Sequence, residues 1–136
     1  MAFVVDASVA GSWFLPDEAT NATTALAHRM GEEGAAAPNL LWHEVRNLLI
    51  VACRRGRLVP SDLEAHLDSL EALPLRDAGR GDARLVARLA RKRSLTAYDA
   101  AYLAAAMVNE LPLASLDKAL RDAARSEGVA VLPKRV

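Results

Sequence analysis

The chain has 136 residues, a length that fits one domain with a full core. Hydrophobic residues make up 52% and aromatics only 4%, so the core must be aliphatic, and no apolar run reaches the roughly 18 residues of a membrane span. Lys plus Arg and Asp plus Glu number 17 each, a balance that excludes coating of nucleic acid by charge alone but not a nuclease, whose bound cation sets its own local field.

Residues 2–5 read as a first strand that runs directly into Asp6 and Ser8 in "FVVDASVA". Ser8–Leu15 predicts a short helix stopped by Pro16. Residues 18–31 carry Ala22, Ala25, Leu26 and Met30 at helical spacing, with Gly31 and Gly34 as breakers. "AAAP" at 35–38 is a short apolar run, and Asn39 opens a long helix over 40–55 that Gly56 ends. "PSDLE" at 60–64 is a helix start, with Ser61 as cap and Glu64 three residues on, and this helix runs to about Leu73. "LPLR" at 73–76 reads as a strand, 82–93 and 96–109 as helices, and "LPLAS" at 111–115 as a strand. A helix over 117–127 and the strand "VAVL" at 129–132 complete the chain. Strands alternating with helices predict a single α/β domain over residues 1–136, with a parallel sheet and helices on both faces. The N-terminus has no basic region followed by a cleavable apolar stretch, and Cys53 is the one cysteine, so a cytoplasmic location is expected. Cys53 itself reads as a core residue.

Four carboxylates stand where a core or a sheet rim is expected. Asp6 follows the first strand and Asp117 the fourth, and ligands of open parallel sheets bind beyond the carboxyl ends of the strands. Glu44 interrupts the stripe Leu40, Leu48 and Val51 of its helix, with Asn47 on the same face. Asp99 shares a side with Leu95, Tyr102, Leu103 and Ala106. Each acid also has a plain local reading. Asp6 or Ser8 caps the first helix, Thr96 and Asp99 have capping-box spacing, Asp117 caps the helix after it, and Glu44 is an ordinary first-turn acid. Capping alone does not require both rim positions and both interrupted faces to be acidic. Gathered together, the acids repel one another unless a cation joins them, and an all-oxygen set suits Mg²⁺ or Mn²⁺. Such a site polarises a phosphodiester and supplies an activated water, with Ser8, Asn47 and Ser115 orienting acids or waters.

The segments "VVDASVA", "HEVRNLL", "LTAYDAAYLAAA" and "PLASLDKAL" together resemble the PIN-domain nucleases, most closely the VapC-type toxins of toxin–antitoxin pairs. The order and spacing of the four segments fit along nearly the whole chain, and Ser115 stands where the family often has Thr. The resemblance implies a three-layer α/β/α fold around a mostly parallel five-stranded sheet, with Mg²⁺-dependent endoribonuclease activity. Asp6, Glu44, Asp99 and Asp117 would form the catalytic, metal-holding site, Asp6 and Asp99 as direct ligands. It also implies a homodimer silenced by a VapB-type antitoxin, RNA as substrate, and DNA contact only through the antitoxin. Other readings are a housekeeping nuclease of the same fold, an aspartyl-phosphate phosphotransfer protein using Asp6, or a binding module without chemistry. Against phosphotransfer, "DAS" lacks a second acid two residues after Asp6.

"RKR" at 91–93 and "RRGR" at 54–57 are either guides for RNA or solvated helix ends. His28, His43 and His66 share no ligand spacing, and adjacent helical residues such as His43 and Glu44 point apart. Trp13 and Phe14 are candidates for core or partner contact.

Overall fold

The computed structural model describes residues 2–136. Strand β1 spans Phe3–Val5 and helix α1 Ala7–Ser12. Helix α2 (Asn21–Glu33), strand β2 (Ala35–Ala37) and helix α3 (Leu40–Arg54) follow. Helix α4 covers Leu63–Glu71, strand β3 Leu75–Asp77, and helices α5 and α6 Ala83–Arg93 and Ala97–Asn109. Strand β4 (Leu113–Ala114), helix α7 (Lys118–Ser126) and strand β5 (Val131–Leu132) complete the chain.

The strands form one sheet in the order β3-β2-β1-β4-β5, every pair parallel. Val4 is in register with Ala36 on one side and Leu113 on the other. Parallel crossovers are right-handed, so steps in opposite directions along the sheet put their helices on opposite faces. From β1 through β2 to β3 the chain steps one way, which places α1–α4 on one face. The return to β4 and the step to β5 run the other way and place α5–α7 on the second face. The contacts agree: α1 and α4 pack on α3, while α5 and α7 pack on α6. This three-layer arrangement reverses direction between β1 and β4, and the crevice at such a reversal is where open α/β sheets bind ligands.

The core is aliphatic, as the composition requires. Phe3, Val4 and Val5 are fully buried, and small side chains let the helices approach closely: Ala35–Ala37 on β2, and Ala100, Ala104 and Ala106 on α6. Helices α1 and α3 approach so tightly that a Cβ at Gly11 would lie 2.8 Å from Leu48 Cδ1. Trp13 donates its indole N–H to the Thr23 carbonyl at 2.8 Å, and Phe14 meets His66 edge-on, so both aromatics belong to the interior packing.

Several local expectations need correction. Helix α2 starts at Asn21 because Thr20 and Thr23 form a capping box. It passes through Gly31 and ends only at Gly34, whose φ of +88° a side chain would strain. Pro60–Asp62 is a 3₁₀ turn, and Asp62, not Ser61, immediately precedes α4. Cys53 is half-buried at the edge of the core. On α3 the stripe that faces the core is Leu41, Val45, Leu49 and Ala52, one position along from the stripe carrying Glu44.

Candidate active site

Asp6 is placed by the end of β1. Its backbone N–H donates to the Ala114 carbonyl at 3.0 Å, continuing the β1–β4 ladder by one residue. Its side chain caps α1 and is only 4% exposed. A carboxylate that deep must be hydrogen-bonded, and this one is. Oδ1 accepts from Ser8 Oγ at 2.6 Å and from the Val9 N–H at 3.0 Å, while Oδ2 accepts from Ser115 Oγ at 2.6 Å. The two serines act as a matched pair. Ser8 Oγ accepts from the Leu116 N–H at 2.9 Å, and Ser115 Oγ accepts from the Asp117 N–H at 3.0 Å. Each hydroxyl therefore passes a backbone donor's polarity on to one oxygen of Asp6. Of about four lone-pair sites on a carboxylate, three are taken, and the free one is on Oδ2.

The cavity next to Asp6 has a volume of about 480 Å³ and lies at the β1–β4 reversal. Asp6, Glu44, Asp99 and Asp117 all line it, together with Ser8 and Asn47. Glu44 comes from α3 on one face of the sheet and Asp99 from α6 on the other, so each helical layer contributes an acid. Asp117 caps α7, its Oδ2 accepting from the Leu120 N–H at 2.9 Å. Thr96 Oγ1 accepts from the Asp99 N–H at 3.1 Å and starts α6. The capping readings hold for Asp6 and Asp117, whose side chains accept from the first turns of α1 and α7, whereas Asp99 is capped by Thr96 without returning a side-chain bond and Glu44 is not in the first turn of α3. Ser115 is fully buried and stands behind Asp6, outside the cavity lining.

The acids feel one another. Burial pushes the Asp6 carboxyl up to about 6, against the pull of its serine and Val9 donors, and Asp99 adds to the rise. Asp99 is raised by burial and then by Asp117. Asp99 thus couples electrostatically to the acids of both strand ends. Among the described residues, no Lys or Arg lines the cavity. A cavity walled by four carboxylates without a balancing cation fits a hard divalent ion. Among the described residues no three acidic, histidine or cysteine side chains are gathered tightly enough to enclose an ion by themselves.

Three residues in and around the site had been given no role from the sequence, and His43, expected to point away from Glu44, lines the same cavity. Tyr102 lines the cavity and donates its hydroxyl to Glu44 Oε1 at 2.6 Å. Burial and the bond to Glu44 raise its pKa, so the hydroxyl remains a donor. His43 lines the cavity beside Glu44, with Arg46 Nη2 2.7 Å from its Nδ1. Arg121 is 4% exposed and donates to the Ser115 carbonyl at 2.9 Å and to the Lys134 carbonyl at 3.3 Å, pinning the strand end that carries Ser115. Of the expected basic clusters, Arg57 pairs with Asp17 and Glu18, and Lys92 and Arg93 pair with Glu127.

No helix in the described residues is long and apolar enough to cross a membrane. Among curated proteins, none matches the chain significantly. Among solved structures it is similar to the crystal structure of PAE2754 from Pyrobaculum aerophilum. The identity is 25% and the TM-score 0.73, over 97% of this chain and 84% of that one. The PIN domain profile matches residues 3–126, from β1 to the end of α7. PIN domains are generally nucleases, acting on RNA or other nucleic acid with divalent metal ions. With that match spanning both strand ends and both helices that supply the acids, the chain belongs to the PIN domain family.

Proposed function

We propose that this PIN domain is a Mg²⁺-dependent endoribonuclease and the toxin of a VapBC-type pair, with Mn²⁺ able to substitute. The observation that carries the nuclease reading is the convergence of Asp6, Glu44, Asp99 and Asp117 on one cavity at the sheet's reversal point. In this reading Asp6 and Asp99 hold the ion directly. Asp6 offers the one free lone pair of Oδ2 on a carboxylate that three donors keep from rotating. Asp99 stands between the strand-end acids, close enough to raise Asp6 and to be raised by Asp117. Glu44 and Asp117 hold and orient waters, and Asn47 offers an amide to water or phosphate at the rim. Ser8 and Ser115 act only through Asp6. When bound, the ion supplies charge neutralisation and an activated water for in-line attack on a phosphodiester.

The phosphotransfer alternative fits less well. "DAS" offers no second acid two residues after Asp6 to act as its acid or base. The toxin role, the homodimer and the antitoxin rest on the resemblance of the four motif segments to VapC-type proteins.

The test is RNA cleavage by the purified chain with Mg²⁺, with EDTA, and by Asp6→Asn and Asp99→Asn. Cleavage should require the ion and disappear in both variants; cleavage that survives EDTA or both substitutions overturns the reading. Growth arrest on expression, relieved by a small protein encoded next to the chain, distinguishes a toxin from a housekeeping nuclease.

A further inference from the structure

We propose that Tyr102 is a positioning residue for the metal site, its hydroxyl fixing the direction in which Glu44 faces the cavity. This rests on the metal-dependent reading above. Glu44 lies half-buried on α3, on a side chain with three rotatable bonds. Among the described residues its carboxylate accepts from one protein group only, the Tyr102 hydroxyl at 2.6 Å. Asp6, by contrast, is held by three donors. The direction of Glu44 therefore depends on one bond.

That bond is well suited to the task. Tyr102 is 1% exposed, so packing and not rotamer preference fixes its ring and the place of its oxygen. It follows Asp99 by three positions on α6, which puts both on one side of the helix. The helix that presents Asp99 thereby also sets Glu44, although Glu44 comes from the opposite face of the sheet. With Oε1 engaged by the phenol, Oε2 is left for a water of the ion's shell. Outer partners of this kind commonly change metal affinity by about 10–100-fold when removed.

The simpler account is that Glu44 merely satisfies a buried phenol. A double-mutant cycle on Mn²⁺ affinity, read by calorimetry on metal-free protein, separates the two. Tyr102→Phe removes one oxygen, and circular dichroism checks the fold. It should weaken Mn²⁺ binding about 10-fold, but change nothing further in a Glu44→Ala background. Glu44→Asp, which draws the carboxylate back from the phenol at a half-buried helix position, should weaken binding similarly and provides the test should Tyr102→Phe fail to fold. Unchanged Mn²⁺ affinity in Tyr102→Phe, or in Glu44→Asp, overturns the proposal while leaving the nuclease reading intact. So does a full loss that persists in the Glu44→Ala background. An unsubstituted chain that binds no Mn²⁺ overturns both.

Discussion

At the β1–α1 junction Asp6 follows its strand directly and is 4% exposed, whereas at the β4–α7 junction Ser115 and Leu116 intervene and Asp117 stands exposed. Both acids do the same local job, accepting a backbone N–H from the first turn of a helix. Their surroundings differ because β1 is the middle strand of five, covered by helices on both faces, while two residues lift Asp117 off the rim. The same side chain in the same cap thus carries a large desolvation penalty in one place and almost none in the other. Asp6 tolerates its depth through the two serines that tie it to the second junction.

Substituting the buried acid should produce the largest effect. Asp6→Asn should lower RNA cleavage by about 1,000-fold, since charge stabilisation by a metal ion is worth several kcal/mol. Single-turnover rates at saturating Mg²⁺ would show it, and a loss below tenfold would place Asp6 outside the reacting centre.

Removing the link between the junctions comes next. Ser115→Ala deletes the donor to Asp6 Oδ2 and leaves the Asp117 N–H without its acceptor. Metal affinity should fall about 10–100-fold, with a stability loss of about 1–2 kcal/mol. Ser115→Thr keeps the hydroxyl and should restore both, measured by calorimetry and urea unfolding.

The contrast in burial also has a pH signature. The Asp6 carboxyl titrates near 6 in the fold against an ordinary 3.8, so the folded state holds its proton more tightly. The contribution to stability is complete below 3.8 and is lost as the pH rises through about 6. Metal-free Asp6→Asn should therefore match the unsubstituted protein at pH 4 and exceed it by on the order of 2 kcal/mol at pH 7.5. Thermal melts at the two pH values decide this; a gap that does not open with pH would show that the burial cost is met elsewhere.

The smallest effect belongs to the exposed acid. Asp117→Asn retains a good cap and should leave the melting temperature nearly unchanged while reducing cleavage. Asp117→Ala loses the bond to the Leu120 N–H and should cost about 1 kcal/mol. Equal stability losses in the two variants would mean that the charge, not the cap, holds the start of α7.

The strand–acid–helix junctions were legible in the sequence because each is local: an apolar run, an acid, then a helix start. The parallel sheet followed from alternation alone. Finer placement was harder where two signals overlapped. Helix α3 carries apolar residues on two adjacent stripes, and sequence periodicity favoured that of Leu40 and Leu48 although Leu41, Val45 and Leu49 face the core. Glu44 consequently flanks the buried face, which is why it reaches a cavity instead of breaking the core. Tyr102 passed as a core aromatic because its partner lies 58 residues away in sequence. Arg121 drew no reading, because nothing in "KALRDAA" reveals that Ser115 and Lys134 turn their carbonyls toward it. The weakest strand signal came from β2, whose three alanines at 35–37 are small and carry no β-branched residue, although it pairs with β1 on one side and β3 on the other.

The serine-mediated bond between positions 6 and 115 also bears on when the chain becomes competent during its synthesis. Contacts this remote along the polypeptide form late, after the intervening loop has been closed. While β4 and α7 are still missing, Asp6 lacks one of its three donors and the cavity lacks Asp117, one of its four acids. Until β4 and the start of α7 have joined the sheet, the acidic cavity is incomplete.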